Sequence, residues 1–424
     1  MEGVTIQVLH AYLWICLALF ILYSPRIAMY FFAFTQQARV VGTKTNRLAV
    51  IVPARDESTV VTHCLDSLVS QTYDHSMFDT YVVVADAEDP TTAIAANYPR
   101  TNVSVVSQQT GKGEALDGVL KYILEHDPNT YDAFVILDAD NVAAPDLLEE
   151  MNNALSTGKQ IVCAKKLIKN WMDPRKQSRS FISNCTALIY PQVDDMGNMA
   201  RNVFGAAIMM IGTGMMIRAD VIKQLGGWPY RGLTDDYEMT ADAILKGWSS
   251  MYYSHAQVYT EEATDAKTAY RRRLRWVKGY TQCQNRYGPA VLKAVLTRKI
   301  PWWNHLFVVG TYPAYAFFAV SIIAMLFGLY AVASSIAVNS PSLGTSIRMV
   351  AVPVVLMYLA IFFFTLIAML AEWRNIKIPT MEKAALLIAG PIYTFGYVRI
   401  FIASFFTRDD YFKWEPTRRS TTSP

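Results

Sequence analysis

The sequence predicts an α/β domain, a doubly wound and mostly parallel sheet, flanked by membrane-spanning helices. Three observations lead there. Short apolar runs alternate with helical patterns from Leu48 onward, the signature of βαβ units. Uncharged stretches long enough to cross hydrocarbon lie towards both ends of the chain. Aspartates stand where two of the apolar runs end, and sheets of this kind bind ligands outside the carboxyl ends of their strands.

The composition fits this division. The chain has 424 residues, 52% hydrophobic and only 17% charged, with a net charge of +4. That mild charge, without a basic and aromatic-rich surface, gives no support for nucleic acid. Five cysteines, widely spaced and without a CxxC pair, argue against a disulfide framework or a zinc site and for a reducing compartment. Four parts follow: an anchor over 1–46, a globular domain over 47–300 ending in interfacial helices, a membrane block of about three segments over 301–407, and a basic tail over 408–424.

In order along the chain, Gly3 to Pro25 holds no Lys, Arg, Asp or Glu, and Arg26, Arg39, Lys44 and Arg47 follow it. The positive-inside rule then places an integral membrane protein with its globular domain in the cytosol, at the plasma membrane. "LAVIVPA", Leu48 to Ala54, reads as a buried strand and Thr59 to Val69 as a helix. "YVVVAD", Tyr81 to Asp86, and "VSVVS" read as strands, and Gly113 to Glu125 as a helix. "AFVILDAD" is a further strand, with Pro145 opening the next helix, and "QIVCAKK" is another strand. "RKIPWWNH" mixes basic and aromatic residues as a bilayer interface does. Leu306 to Val338 is long for one crossing and short for two. Met349 to Ala371 is uncharged, and Ala384 to Thr407 is apolar apart from Arg399 and carries a Gly390-Pro391 break that suggests a re-entrant segment. Three crossings here would put the tail outside, yet Arg408, Lys413, Arg418 and Arg419 prefer the cytosol.

The chemistry concentrates in a few short motifs. Asp138 and Asp140, at the mouth of the strand in "FVILDADN", would repel one another unless something positive lay between them. Hard cations such as Mg²⁺ or Mn²⁺ take carboxylate oxygens and keep phosphates as further ligands, so a metal–diphosphate clamp is one reading and a helix-capping turn the other. Asp86 stands where a strand-end carboxylate reaches a base or ribose, with a turn or cap built on Asp89 and Thr91 as the alternative. Lys112, between two glycines, can bring an ammonium to a diphosphate. In "RGLTDDYEMT", Thr234 reads as an N-cap and Asp235 and Asp236 as first-turn residues; the same acids suit general-base chemistry. "AYRRRLRWVKGY" sets Arg271, Arg272, Arg273 and Arg275 beside Trp276, fit for a leaving diphosphate and a stacked sugar, or for anionic lipid.

Together, Asp86, Gly111-Lys112-Gly113, Asp138-x-Asp140, Gly212 to Met215, Thr234-Asp235-Asp236 and Arg272-x-x-Arg275-Trp276 resemble the motif set of the membrane-bound family 2 inverting glycosyltransferases. These include the cellulose, chitin, hyaluronan and poly-N-acetylglucosamine synthases and ceramide glucosyltransferase. The resemblance covers about residues 47–300 and implies a GT-A fold. It implies that Asp86 contacts uridine, Asp138 the nucleotide or donor sugar, and Asp140 a Mn²⁺ or Mg²⁺ ion. Asp236 would be the base, with Asp235 beside it; Lys112, Arg272 and Arg275 would attend the diphosphate, and Trp276 the acceptor. The layout implies a processive synthase that takes a UDP-sugar, UDP-glucose before UDP-N-acetylglucosamine, and extends and secretes a polysaccharide. The alternative is a single transfer to a ceramide- or diacylglycerol-type lipid. Arg272, where processive synthases usually carry Gln and lipid-glucosylating relatives accept Arg, speaks for the alternative.

Overall fold

The computed structural model describes residues 2–172, 179–308 and 312–412. Its centre is an eight-stranded sheet of β1 (Leu48–Pro53), β2 (Phe78–Val84), β3 (Thr101–Val105), β4 (Ala133–Ile136), β5 (Val142–Ala143), β6 (Ile161–Ile168), β7 (Met215–Arg218) and β8 (Ser250–Thr260), in the order β3-β2-β1-β4-β7-β6-β8-β5. The pairs β1–β2, β2–β3, β1–β4 and β6–β8 are parallel, while β7 runs against both its neighbours.

Strand β1 shows why its run is apolar throughout. Leu48, Val50 and Val52 enter one core, with Cys64, Leu65 and Leu68 of helix α1 (Val61–Val69) and Leu147 and Met151 of α3 (Leu147–Leu155). Ala49 and Ile51 enter the other, with Leu116, Leu120 and Ile123 of α2 (Lys112–His126). A period of two with both faces covered leaves no polar position, and each full burial of a large aliphatic side chain contributes about 1.5–3 kcal/mol. The helix expected from Pro145 starts two residues later, because Asp146 takes the N-cap and Pro145 stays in the preceding turn.

The strand directions assemble one rim. Strands β2 and β4 end there, so Asp86 and Asp138 lie two strand spacings apart, roughly 10 Å. Strands β6 and β8 run parallel to β4, bringing Lys169 and Glu262 to the same side. Strand β7 is antiparallel, so its rim end is its start: Met215 pairs with Ile136, and the Gly212–Gly214 loop sits beside Asp138. Gly212 and Gly214 have φ of 73° and 64°, and a Cβ on Gly214 would lie 2.9 Å from the Val258 side chain.

Among the described residues four helices are long and apolar enough to cross a membrane: the N-terminal helix Glu2–Tyr30, and, after the amphipathic α4 (Asp235–Lys246) and α5 (Ala266–Leu296), helices α6 (Tyr312–Ala337), α7 (Leu343–Ala371) and α8 (Thr380–Phe406). The first packs on α6, with the Tyr12 hydroxyl 3.0 Å from Ser321 Oγ. Gly328 of α6 abuts the backbone of α7, where an added Cβ would stand 2.8 Å from the Met349 carbonyl carbon. Among its described residues, Leu306 to Val338 thus holds one long helix, Tyr312–Ala337, and the end of a short turn, Trp302–Phe307.

Helix α8 differs from what its sequence suggests. It runs unbroken through Gly390 and Pro391, and it touches the globular domain from end to end. Glu382 pairs with Arg179 at 2.7 Å, the Tyr393 hydroxyl meets Thr186 Oγ1 at 3.0 Å, and Lys278 of α5 donates to the Ser404 carbonyl at 3.3 Å. Those contacts span 22 residues, about 33 Å of helix. Its other face exposes Met381, Ile388, Ile392, Ile402, Phe405 and Phe406. Just beyond it, Asp409 accepts from Gln282 of α5 at 3.0 Å, so the chain ends its described course on the domain's side. Most of the basic tail, 413–424, lies outside the described residues.

A buried ion cluster ties the two parts together. Lys165 of β6 reaches Asp195 (3.0 Å) in the π-helical segment Gln192–Asn198 and Glu372 at the end of α7. Burial, and then Asp195, push the Glu372 carboxyl up from its ordinary range against the pull of Lys165.

Candidate active site

Asp138 and Lys112 meet at the centre of the rim. The Lys112 ammonium donates to Asp138 Oδ1 at 2.6 Å and to the Gly212 carbonyl. The positive charge that the paired carboxylates demand is thus supplied, for Asp138, by the Gly-Lys-Gly turn. Burial opposes the charge on Lys112, but Asp138, Asp235 and Asp236 hold it above the usual lysine range. Gly113 is required by a close approach, because a Cβ there would lie 2.3 Å from the Tyr230 carbonyl oxygen.

Residues to which the sequence reading gave no role, Asn141 and the Thr213 of the Gly212 to Met215 motif, fix the geometry of the Asp-x-Asp turn. The Asp138 N–H donates to Thr213 Oγ1 (3.0 Å), Thr213 in turn donates to Asn141 Oδ1, and Asn141 Nδ2 donates to Asp140 Oδ1 (3.1 Å). Lys169 donates to the Asp140 carbonyl. Asp140 is only 8% exposed and Asn141 fully buried. The asparagine directly after the motif was the available signal; the threonine, dozens of residues later, was not readable as its partner.

Asp235 and Asp236 open α4 as expected, but Thr234 supplies no side-chain cap. Its hydroxyl is buried without a partner among the described residues, because α5 packs on it at Gly279, where a Cβ would stand 2.7 Å from Thr234 Oγ1. Asp235 Oδ2 accepts from the Trp228 indole at 3.0 Å, so one of its oxygens faces the domain. Asp236 Oδ1 accepts from the Tyr237 N–H at 2.8 Å, and Oδ2 lies 3.6 Å from where a Gly212 Cβ would be. Burial first, then the Asp235 charge, push the Asp236 carboxyl up to about 6 in spite of Lys112 and Arg275. It is a half-buried acid whose proton affinity suits a base at neutral pH.

Helix α5 brings up the arginines. Arg272 Nη1 donates to Glu262 Oε1 (3.2 Å), and its charge acts on Asp138. Arg275 is exposed and donates to the Leu233 carbonyl (2.7 Å), next to the acidic turn. Trp276 is half-buried on the same helix. Asp86 is exposed at its strand end, where its Oδ1 accepts from the Glu88 N–H at 3.0 Å, while Asp89 caps the following helix through Thr91. The structure therefore gathers Lys112, Asp138, Asp140, Asp235, Asp236, Arg272 and Arg275 on one rim and leaves Asp86 further along it.

Among the described residues no three His, Cys, Asp or Glu side chains converge as a ready-made metal site. The donor set nevertheless fits a hard cation that draws further ligands from a phosphate: two carboxylates on one turn, one already engaging an ammonium.

With this geometry, comparison with known proteins is informative. The family model described as "Glycosyltransferase like family 2" matches residues 46–279. "Beta-monoglucosyldiacylglycerol synthase" of Trichormus variabilis is 23% identical over 278 residues, 62% of this chain and 55% of that protein. "Uncharacterized glycosyltransferase YaiP" of Escherichia coli is 25% identical over 263 residues, 61% of this chain and 62% of that protein. The chain thus spans a little over half the length of these relatives. Among solved structures, the mannosyltransferase PcManGT from Pyrobaculum calidifontis, in complex with GDP-Man and Mn²⁺, superposes over 96% of both chains with a TM-score of 0.51 at 18% identity. That likeness shows the fold, which is GT-A, as the motif resemblance implied.

Proposed function

We propose, from the premise that this chain belongs to glycosyltransferase like family 2 and is a glycosyltransferase, that it transfers one sugar from a nucleoside diphosphate, UDP in the first instance, to the hydroxyl of a lipid acceptor at the membrane face. Asp236 takes the acceptor proton on Oδ2 while the oxygen attacks the anomeric carbon opposite the diphosphate, so an α-linked donor gives a β-linked product. Lys112, Arg272 and Arg275 hold the departing diphosphate, the kind of preorganised charge that contributes most to such rates. Asp140, with Asp138, would hold a Mn²⁺ or Mg²⁺ ion, which when bound offsets phosphate charge. Asp86 is assigned to the nucleoside, Asp235 to orienting the acidic turn, and Trp276 to the acceptor.

The observation that carries the lipid reading is the course of α8. Bound to the domain along its length and apolar on its outer face, it suits a place in the plane of the bilayer, which would leave the N-terminal helix, α6 and α7 to cross. That count would put the start of the tail, 408–412, on the catalytic side, which the basic residues of the tail favour. It also leaves three crossing helices packed on one another, little bundle for a polymer to thread. The activity for which the Trichormus relative is named supports the same direction. Processive polysaccharide elongation is the second reading, favoured by the motif layout.

The test uses purified protein in lipid nanodiscs with radiolabelled UDP-glucose, UDP-N-acetylglucosamine and GDP-mannose. An organic-extractable product made from added diacylglycerol or ceramide supports lipid transfer. Label held only in a high polymer turns the assignment to the second reading, and no transfer from any donor overturns both.

A further inference from the structure

At the end of the N-terminal helix two arginines stand close together, and no carboxylate among the described residues pairs with either. Arg201, in the short helix Met199–Phe204, is only 9% exposed. Among the described residues none of its guanidinium nitrogens makes a hydrogen bond or an ion pair, yet none of them is sealed from solvent. Burial first, and then the charge of Arg26, push its guanidinium down to about 10. Arg26 donates through Nε to the Tyr30 hydroxyl at 2.7 Å, which meets the Tyr23 hydroxyl at 2.8 Å. Its Nη1 is enclosed, whereas Nη2, also without a hydrogen bond among the described residues, keeps contact with solvent. Tyr30 and Tyr280 act on both guanidiniums, so the two cations share one set of neighbours. Residue 197 is glycine, and a Cβ there would stand 3.3 Å from Arg201 Nη1.

The surroundings suit a bilayer surface. The Tyr23 and Tyr30 rings meet Phe364 of α7 edge-on at 6.3 and 5.3 Å. Phe204, which ends the Arg201 helix, packs on Phe32 (5.6 Å) and Trp303 (4.3 Å). Aromatic belts of this kind sit at headgroup level. On the other side, Tyr237 and Tyr280, with ring centres 5.1 Å apart, join Arg201 to α4 and α5. Like charges held together away from bulk water repel, and each stays uncompensated unless an anion joins them. A guanidinium has donors only, so the ligand must carry negative charge and accept several hydrogen bonds. Phosphate does both, and a bilayer presents phosphates at this level.

We propose that Arg26 and Arg201 form a phosphate site, filled by the headgroup of an anionic lipid, that fixes the end of the N-terminal helix against the catalytic domain. This goes beyond the transfer reading and does not need it, since the site includes none of the residues assigned to donor, metal, base or acceptor.

The test follows thermal unfolding in three kinds of nanodisc: phosphatidylcholine alone, phosphatidylcholine with phosphatidylglycerol, and phosphatidylcholine with added inorganic phosphate. Native mass spectrometry counts the lipids retained. Wild type is expected to melt higher with phosphatidylglycerol, by mass action on the folded state, and to retain one molecule of it. Arg201→Met removes an uncompensated buried charge, so in phosphatidylcholine it should melt no lower than wild type. The mole fraction of phosphatidylglycerol giving half the effect should rise about tenfold or more in this variant, for the loss of a charge-assisted contact. Arg201→Lys should recover part of that loss, and Arg298→Gln, at an exposed basic position, should change it less than about twofold. An arginine with a purely structural role would make Arg201→Met melt lower in every nanodisc with its lipid response intact, and that result overturns the site. An equal gain from inorganic phosphate keeps the phosphate chemistry and overturns the lipid as its source. Should no Arg201 variant fold, wild type still decides: equal melting with and without phosphatidylglycerol overturns the proposal. Wild type that transfers to no acceptor bears on the transfer reading alone, so the two failures are separable.

Discussion

Asp236→Asn should trade activity for stability, and the size of both effects follows from the burial of this acid. An aspartate normally titrates at 3.8, and here the carboxyl is pushed up to about 6. The folded state therefore carries a penalty once Asp236 is ionised, at most ~3 kcal/mol above the folded pKa and absent below the unfolded one. Asp236 is half-buried, and solvent screening reduces this to about 1 kcal/mol. The substitution removes the penalty, so at pH 8 the melting temperature should rise by roughly 2–4 °C, and at pH 4 by nothing. Activity runs the other way: loss of the base should lower kcat by about 10²-fold or more. In wild type, kcat/KM should fall nearly tenfold between pH 7 and pH 5, roughly the ratio of base ionised at the two values, where a base of ordinary acidity would lose only ~5%. The assays are thermal melts in nanodiscs at both pH values and a pH–rate profile with saturating metal. A melting gain equal at pH 4 and pH 8, or a flat rate down to pH 5, would refute the reasoning.

Three further outcomes follow from single contacts. Gly113→Ala puts a Cβ 2.3 Å from the Tyr230 carbonyl, so the turn must move; a loss of about 1–3 kcal/mol is expected, with donor KM raised as Lys112 leaves Asp138, read by melts and nucleotide titration. Lys165→Met strands Asp195 and Glu372 without their cation and should cost about 3–5 kcal/mol in denaturant unfolding, partly recovered when Glu372→Gln is added. Chelation should abolish transfer and Mn²⁺ restore it, with Asp140→Asn raising the half-saturating Mn²⁺ concentration about tenfold or more; transfer at the full rate after exhaustive chelation would remove the metal from the scheme.

Much was legible before any tertiary contact. Leu48 to Val52 announced a strand buried on both faces because a period-two element covered on both sides has no polar position. Asp138 and Asp140 marked out a candidate turn because ionised carboxylates are costly at the mouth of an apolar strand. Asp236 and the Arg272 to Trp276 run were legible as motifs, and their family resemblance carried the fold. Local signals misled where packing overrode them. Thr234 has the residue type of a cap, yet α5 presses on it and its hydroxyl makes no cap bond. Gly390-Pro391 has the composition of a break, yet the helix continues through it.

What the sequence by itself determined were the elements, the acidic rim and the chemical class, since burial periodicity and the cost of uncompensated charge are local properties of a chain. Only the tertiary structure decided which distant residues complete that rim. An antiparallel β7 delivers Gly212 and Thr213 to Asp138, Lys112 pairs with Asp138 across 26 residues, and Asp236 acquires its raised proton affinity from burial and a like-charged neighbour. It decided too that α8 lies along the domain although its composition would equally suit a crossing. Hydropathy records how apolar a segment is, and the direction it takes is set by the ion pairs and ring contacts it meets at each end.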